Sequence, residues 1–315
     1  MSIPLFRVAC CGLAELNWLQ QYPVSNAGGL GVITSGSFRT PQELRQEIRK
    51  AKKLTNKPLG VNFAFLPAAE PRDHEAFINV ALEEGVKVME TAGSSPEKYM
   101  KLLKDGGAKV IHKTPAVRFA KTAERIGVDA IAILGQGATG HPGMDLVSSM
   151  VLIPAAVDAL KIPVIAAGEI ADARGFVAAL ALGAQGVLMG TRFMITQEAP
   201  MHPKLKQWLV EAKETDTVLI QKSLRNTARV IANETTYRVL GLESQFAKLE
   251  DLLPYISGLK GKELQETGNV NVGTLACGQV VGLIHNIPTV KEVIDSIITE
   301  AKAIGQQLRS IGVFS

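Results

Sequence analysis

The chain has 315 residues, 46% of them hydrophobic and 20% charged, and a formal net charge of +4. That length suits one (β/α)8 barrel with an appended domain, and the composition is that of a globular chain with a large core. The small charge, with no block of Lys or Arg, argues against a nucleic-acid partner, because basic residues alternate with acids on helix faces, as in KLKQWLVEAKE at 204–214. The three cysteines, Cys10, Cys11 and Cys277, fit neither a zinc spacing nor a CxxC pair. No metal is therefore expected, and an odd count without a framework points to a reducing compartment, read here as the cytoplasm. Glu169, Asp172 and Arg174 interrupt the most apolar run, so no membrane span is expected. Arg7 inside the first apolar run argues against a signal peptide, and Val313-Phe314-Ser315 carries no lipidation or retention signal.

In chain order, short apolar runs alternate with amphipathic stretches. Strands are predicted at Leu30–Thr34, Leu59–Phe63, Val86–Thr91, Lys109–Lys113, Ala130–Leu134, Val164–Ala167 and Val187–Gly190, with Leu5–Ala9 as the candidate for an eighth. Between them lie helices at Pro41–Leu54, with Thr40 as cap, at Pro96–Leu103 and at Val117–Ile126. Alternating strands and helices mean a parallel sheet, predicted as an α/β (β/α)8 TIM barrel over residues 1–201. An open doubly wound sheet is the runner-up, but its GxGxxG fingerprint is missing, since Gly28-Gly29-Leu30-Gly31 precedes a strand rather than following one. Residues 202–292 read as a smaller, mostly helical cap domain with a Gly-rich piece at Gly268–Gly278, and 293–315 as part of a helix, Val290–Ile311, that packs back on the barrel.

Chemistry in a barrel gathers at the C-terminal ends of its strands. Asn62, Glu90-Thr91-Ala92-Gly93, Lys113 and the run Gly135 to Gly143 all fall there. A Lys at the end of a buried strand needs an anion, either a ligand or Glu90 in a salt bridge. His141 lies in a Gly-rich loop without helical or strand periodicity, which favours a functional role over a histidine bonded to loop backbone. His112 alternates with Lys113 and should face outward, while His74, His202 and His285 read as surface or helix-end residues. In Ile162–Phe193 a strand, a Gly turn at Gly168, a helix capped by Asp172, a strand and a turn at Gly190-Thr191 follow in succession. Those glycines either only make tight turns or aim backbone N–H groups at a phosphate.

The segments VSNAGGLGVIT, LGVNF, ETAG, VIHK, GHPG, IPVIAAGEIAD, GAQGVLMGTRF and SLRNTARV resemble the nitronate monooxygenase (2-nitropropane dioxygenase-like) family over about Ser25 to Gly282. The family holds nitronate monooxygenases, NADH:quinone reductases and bacterial enoyl-acyl-carrier reductases, and SLRNTARV and GHPG look closest to the quinone reductases. The resemblance implies an FMN-dependent oxidoreductase, with oxidation of alkyl nitronates as the first reading and NAD(P)H:quinone reduction as the alternative. It implies Asn62 and Lys113 at the FMN ring or ribityl chain, Gly135 and Thr139 lining the flavin, and Gly168, Glu169, Gly190 and Thr191 at its phosphate. It puts His141 at the catalytic histidine's position and a mobile loop at Leu66–Pro71. Arg225 and Arg229 would cap the site or make packing salt bridges.

This chain departs from the family in two places. Cys10-Cys11-Gly12-Leu13 stands where Gly-Gly-Met is usual, followed by Asn17–Pro23 in place of a small-residue helix, which Pro23 should break. A shifted reading frame is one account of that stretch. Glu169 stands where the family has Gly, and a carboxylate facing a phosphate should weaken FMN by about 1–3 kcal/mol, much less if it faces away. Together the departures leave a third reading, a flavin-poor, non-catalytic binding protein. Oligomeric state has no signal in the sequence.

Overall fold

The computed structural model describes residues 8–11, 21–65 and 72–312. The chain runs β1 (Val8–Cys11), α1 (Gln21–Asn26), β2 (Leu30–Thr34), α2 (Pro41–Leu54), β3 (Leu59–Phe65), α3 (His74–Glu83), β4 (Val88–Gly93) and α4 (Glu97–Asp105). It continues through β5 (Lys109–Thr114), α5 (Val117–Arg125), β6 (Ala130–Leu134), α6 (Ser149–Ala159), β7 (Val164–Ala167), α7 (Ala173–Ala181) and β8 (Gly186–Leu188). The strands are parallel in sequence order, and β1 pairs with both β2 and β8, so the sheet closes. The (β/α)8 barrel is the fold, and the open sheet is not. Val8 and Ala9 of the expected Leu5–Ala9 lie in β1, which continues to Cys11, and Leu5–Arg7 fall outside the described residues.

Alternation along each strand divides the core. Leu30, Val32, Ile111, Ala132, Ile165 and Leu188 point to the barrel axis and pack together. Their neighbours, such as Ile33, Phe63, Met89 and Ile131, point outward against the helices. Helix α2 shows how those helices are specified. Thr40 Oγ1 accepts from Glu43 N (3.2 Å), Glu43 Oε2 accepts from Thr40 N (3.4 Å), and Pro41 takes the first position. Leu44, Ile48 and Ala51 then share one buried face. Truncating Leu44 to Ala should cost about 2–5 kcal/mol.

Pro23 lies in α1, where its carbonyl accepts from Ala27 N (2.9 Å); the residues before Gln21, where the interrupted helix was expected, lie outside the described residues. Gln21 fixes this short helix to the barrel: its Oε1 accepts from Val32 N (2.9 Å), while Ser25 Oγ accepts from Gly31 N (3.1 Å). Residue 31 must be Gly, because a Cβ there would lie 1.9 Å from Gln21 O. Gly12–Gln20, with most of the segment read as a shifted frame, and the expected mobile loop at Leu66–Pro71 lie outside the described residues.

Beyond the barrel come α8 (Thr191–Met194), α9 (Pro203–Glu211), β9 (Thr217–Ile220), β10 (Ala228–Ile231), α10 (Glu234–Glu243), α11 (Leu249–Ile256), α12 (Gly258–Thr267) and α13 (Val290–Ser310). The stretch expected to be mostly helical therefore also holds a two-stranded antiparallel sheet, β9 with β10. A second core joins Leu205 and Leu209 of α9 to Ile195, Leu275 and Val281. Helix α13 packs on α7 and α1 through a face that includes Val293, Ile294 and Ile297. No helix among the described residues is long and apolar enough to cross a membrane.

His112 faces outward, as the alternation requires, but it is buried, with Nδ1 2.9 Å from Thr91 Oγ1. Burial, with the Lys113 charge beside it, pushes its pKa from 6.5 down to about 4. An unfolded chain takes up this proton near pH 6.5 and the folded chain only near 4, so stability is lost as pH falls through that window. The window is worth about 3 kcal/mol. Urea denaturation at pH 7 and pH 4 should show a loss about 3 kcal/mol smaller in His112→Asn than in the unsubstituted protein; equal losses would mean that folded His112 titrates normally.

Candidate active site

At the C-terminal mouth of the barrel, β3, β4 and β5 carry inward polar side chains. Asn62 and Glu90 are register partners, and Lys113 is on the same face of the next strand. Lys113 Nζ lies 2.8 Å from Glu90 Oε1, and Asn62 Nδ2 donates to that same oxygen at 2.9 Å. The Glu90 side chain is 1% exposed and that of Lys113 11%. The salt bridge considered as an alternative to a ligand role for Lys113 therefore exists, and Lys113 and Asn62 still line the central cavity.

The opposite wall comes from the adjacent strands β7 and β8. After β7, Gly168 has φ +79°, and a Cβ there would lie 2.5 Å from the Cβ of Ala138. After β8, Gly190 leads into α8 at Thr191. The N-terminus of α7 is capped within its own turn, where Asp172 accepts from Arg174 N (2.9 Å) and Gly175 N (3.1 Å). That of α8 has no side-chain cap, and it borders the cavity. Thr191 Oγ1 accepts from Gly278 N (3.0 Å), which brings the Gly-rich piece over the turn. Cys277 beside it is buried, its thiol pushed up to about 12 by burial, and is chemically inert.

Between these walls runs the loop joining β6 to α6, residues 135–148. Two motifs distant in sequence meet here. Arg229 N on β10 donates to Gly140 O (2.6 Å), and Gly140 N donates back to Arg229 O (3.3 Å). The Arg229 guanidinium donates to Gln136 O and to Thr217 Oγ1, each at 3.0 Å, and makes no ion pair among the described residues. Burial lowers its pKa, and the charge of Glu169 opposes that shift. Arg225, at φ +53°, lines the cavity. Burial also lowers the pKa of His141 below the usual 6.5, opposed by the carbonyls of Asn226 and Thr227, so the imidazole is neutral at pH 7. His141 Nδ1 and Thr139 Oγ1 are buried with no hydrogen-bond partner at good geometry among the described residues. These two atoms are closed off, while other parts of both residues line the cavity.

Glu169 turns its carboxylate into this loop. Oε1 accepts from Gly137 N (2.7 Å) and Oε2 from Ser149 N (2.8 Å). A carboxylate satisfied in this way does not exert the full repulsion expected of one pointed at a phosphate.

The cavity measures about 780 Å³, within the usual range of about 300–1,000 Å³ for ligand sites. Asn62, Lys113, Thr139, His141, Gly168, Glu169, Gly190 and Thr191 all line it. Gly135 does not: it packs beneath the loop, where a Cβ would lie 2.0 Å from Ser149 Oγ. Sequence reasoning missed Gly278 as the donor to Thr191 and Phe119 of α5 at the cavity edge. The glycines of 268–278 were the only signal for the first, and nothing marked the second.

Lys113→Met would leave Glu90 buried without its cation. Urea denaturation should show a loss of about 3–5 kcal/mol, largely recovered in the double variant Glu90→Gln/Lys113→Met. Full stability in the single variant would show that Glu90 does not depend on Lys113.

The sequence model of the nitronate monooxygenase family matches residues 22–300. A relative from Rhodococcus jostii (strain RHA1), named (3aS,4S,5R,7aS)-5-hydroxy-7a-methyl-1-oxo-octahydro-1H-indene-4-carboxyl-CoA dehydrogenase, is 33% identical over 88% of this chain and 87% of its own. A probable nitronate monooxygenase of Staphylococcus aureus (strain MSSA476) is 35% identical over 67% of this chain and 70% of its own. The solved structure of FabK from Thermotoga maritima is similar at a TM-score of 0.86 and 34% identity, covering 98% of this chain and 97% of that one. With a match over most of its length and the family's motifs brought together at one barrel mouth, the chain belongs to the nitronate monooxygenase family of oxidoreductases.

Proposed function

We propose that the protein is an FMN-dependent oxidoreductase that oxidises alkyl nitronates. The observation that carries this reading is the cavity of about 780 Å³ at the barrel mouth, where Asn62, Lys113, Thr139 and His141 converge and which the uncapped start of α8 borders. The FMN phosphate would lie at Gly168-Glu169 and Gly190-Thr191, where backbone N–H groups and the start of a short helix favour an anion. Asn62 and Lys113, held through Glu90, would meet the ring or ribityl chain, and a fixed cation there would favour the reduced flavin. Thr139 would donate to the flavin from the wall opposite. Bound FMN supplies the electron acceptor that a nitronate carbanion requires.

His141 is neutral at working pH, which suits two tasks. Its N–H can orient the nitronate oxygens, and its free ring nitrogen can take the α-proton of a neutral nitroalkane. A second reading, NAD(P)H-dependent reduction, is favoured by the cavity's apolar side at Pro96, Pro115, Phe119 and Ala123. That side suits a bulky apolar acceptor such as a quinone.

The purified protein mixed with FMN should show a bound-flavin spectrum, which a nitronate bleaches under anaerobic conditions. Bleaching by NADH instead would favour the second reading. No bound flavin at all would leave only a non-catalytic binding protein.

His141→Ala should keep flavin and lower kcat/KM by roughly 10²–10⁴-fold. With a neutral nitroalkane, the rate should be flat above pH 6.5 and fall at lower pH as the depressed pKa of His141 is crossed. A pH profile unchanged in His141→Ala would remove the imidazole from proton transfer.

A further inference from the structure

The β6–α6 loop that bears Thr139 and His141 is pinned at both ends by one carboxylate. Glu169 accepts from Gly137 N near the start of the loop and from Ser149 N at the first residue of α6. Ser148, in the cap position of α6, makes no side-chain cap bond, so the helix takes its cap from the end of β7. The loop is shaped around this side chain. A Cβ on Gly137 would lie 2.7 Å from Glu169 Cγ, and one on Gly135 would lie 3.0 Å from Glu169 Oε2. The backbone at Glu169 has φ +61°, a strained value for a residue with a Cβ. Strain of that kind persists only where the surroundings over-determine it. From the other side Arg229 holds Gln136 O with its Nε and pairs with Gly140 through its backbone. The stretch 136–140, immediately before His141, is thus gripped between Glu169 and Arg229.

We propose that Glu169 is a positioning residue: its carboxylate sets the loop so that His141 and Thr139 face the cavity at the right depth. This rests on the reading of His141 given above. The strained backbone is retained in exchange for the two charge-assisted bonds. A glycine at this position would relax the turn and free the loop.

The test compares Glu169→Ala and Glu169→Gln, loaded with FMN, by hydrogen exchange of residues 135–149 and by kinetics. Removing bonds of this class should raise exchange at Gly137 and Ser149 by about 10–100-fold in Glu169→Ala. It should lower kcat/KM in an otherwise unsubstituted protein but cause no further loss in a His141→Ala background. Glu169→Gln, with one acceptor left, should fall between, and it carries the comparison by itself if the alanine variant does not fold. Formate added to Glu169→Ala should restore loop protection and part of kcat/KM while leaving the unsubstituted protein unaffected. Loop exchange unchanged in both variants would overturn the tether. Raised exchange with unchanged kcat/KM would overturn the positioning role. If His141→Ala alone retains full activity, the catalytic reading of His141 fails separately, and the exchange comparison still decides whether Glu169 holds the loop.

Discussion

Inside a closed eight-stranded barrel only alternate residues of each strand reach the axis, and the axis has room for little beyond small and branched side chains. Leu30, Val32, Ala132 and Ile165 fill it. Polar side chains are tolerated on that inner face only near the mouth, where each must find a partner. Asn62, Glu90 and Lys113 meet this condition together, because one oxygen of Glu90 accepts from both the amide and the ammonium. The pairing that lets a lysine stay inside the barrel also fixes where its charge sits, close to the cavity and unable to swing away. A cation held in this way acts as a fixed charge rather than a mobile one, which is the property that a tuned redox site needs.

The strands and the mouth were legible because their signals are local. A run such as Val164–Ala167 followed by Gly168 gives a buried strand and a turn, and alternation alone sends Lys113 inward and His112 outward. What could not be read depends on partners far away in sequence. The strands β9 and β10 have four residues each, too few for a period-two pattern to stand out between helices, and they are defined by pairing with each other. The direction of the Glu169 carboxylate depends on a left-handed backbone and on two N–H donors 20 and 32 residues earlier. Gly135 was placed at the cavity because it ends a strand, yet the next strand's Glu169 and the start of α6 crowd it underneath.

The region after the barrel contributes more than a cover. Strand β10 extends the loop of His141 by a backbone bridge at Gly140, and Ala276 in turn bridges to Val230 on the same strand. The motifs GHPG and SLRNTARV are therefore two sides of one irregular sheet edge laid across the mouth. A displacement of this edge would move His141 with it, so the appended region helps to set the shape of the cavity that it also lines through Arg225 and Thr227.

Three helices begin at this face on consecutive strands, and their N-termini are treated differently. Each start leaves backbone N–H groups without intrahelical partners and a partial positive charge. At α6 they are met by Glu169 and at α7 by Asp172, so a carboxylate already sits at both. At α8 no side chain does so, and Gly190 and Thr191 border the cavity. An anion arriving at the mouth thus finds two helix starts already neutralised and one without a side-chain cap. Glu169 adds a carboxylate where the protein already supplies donors, and it leaves the start of α8 without one.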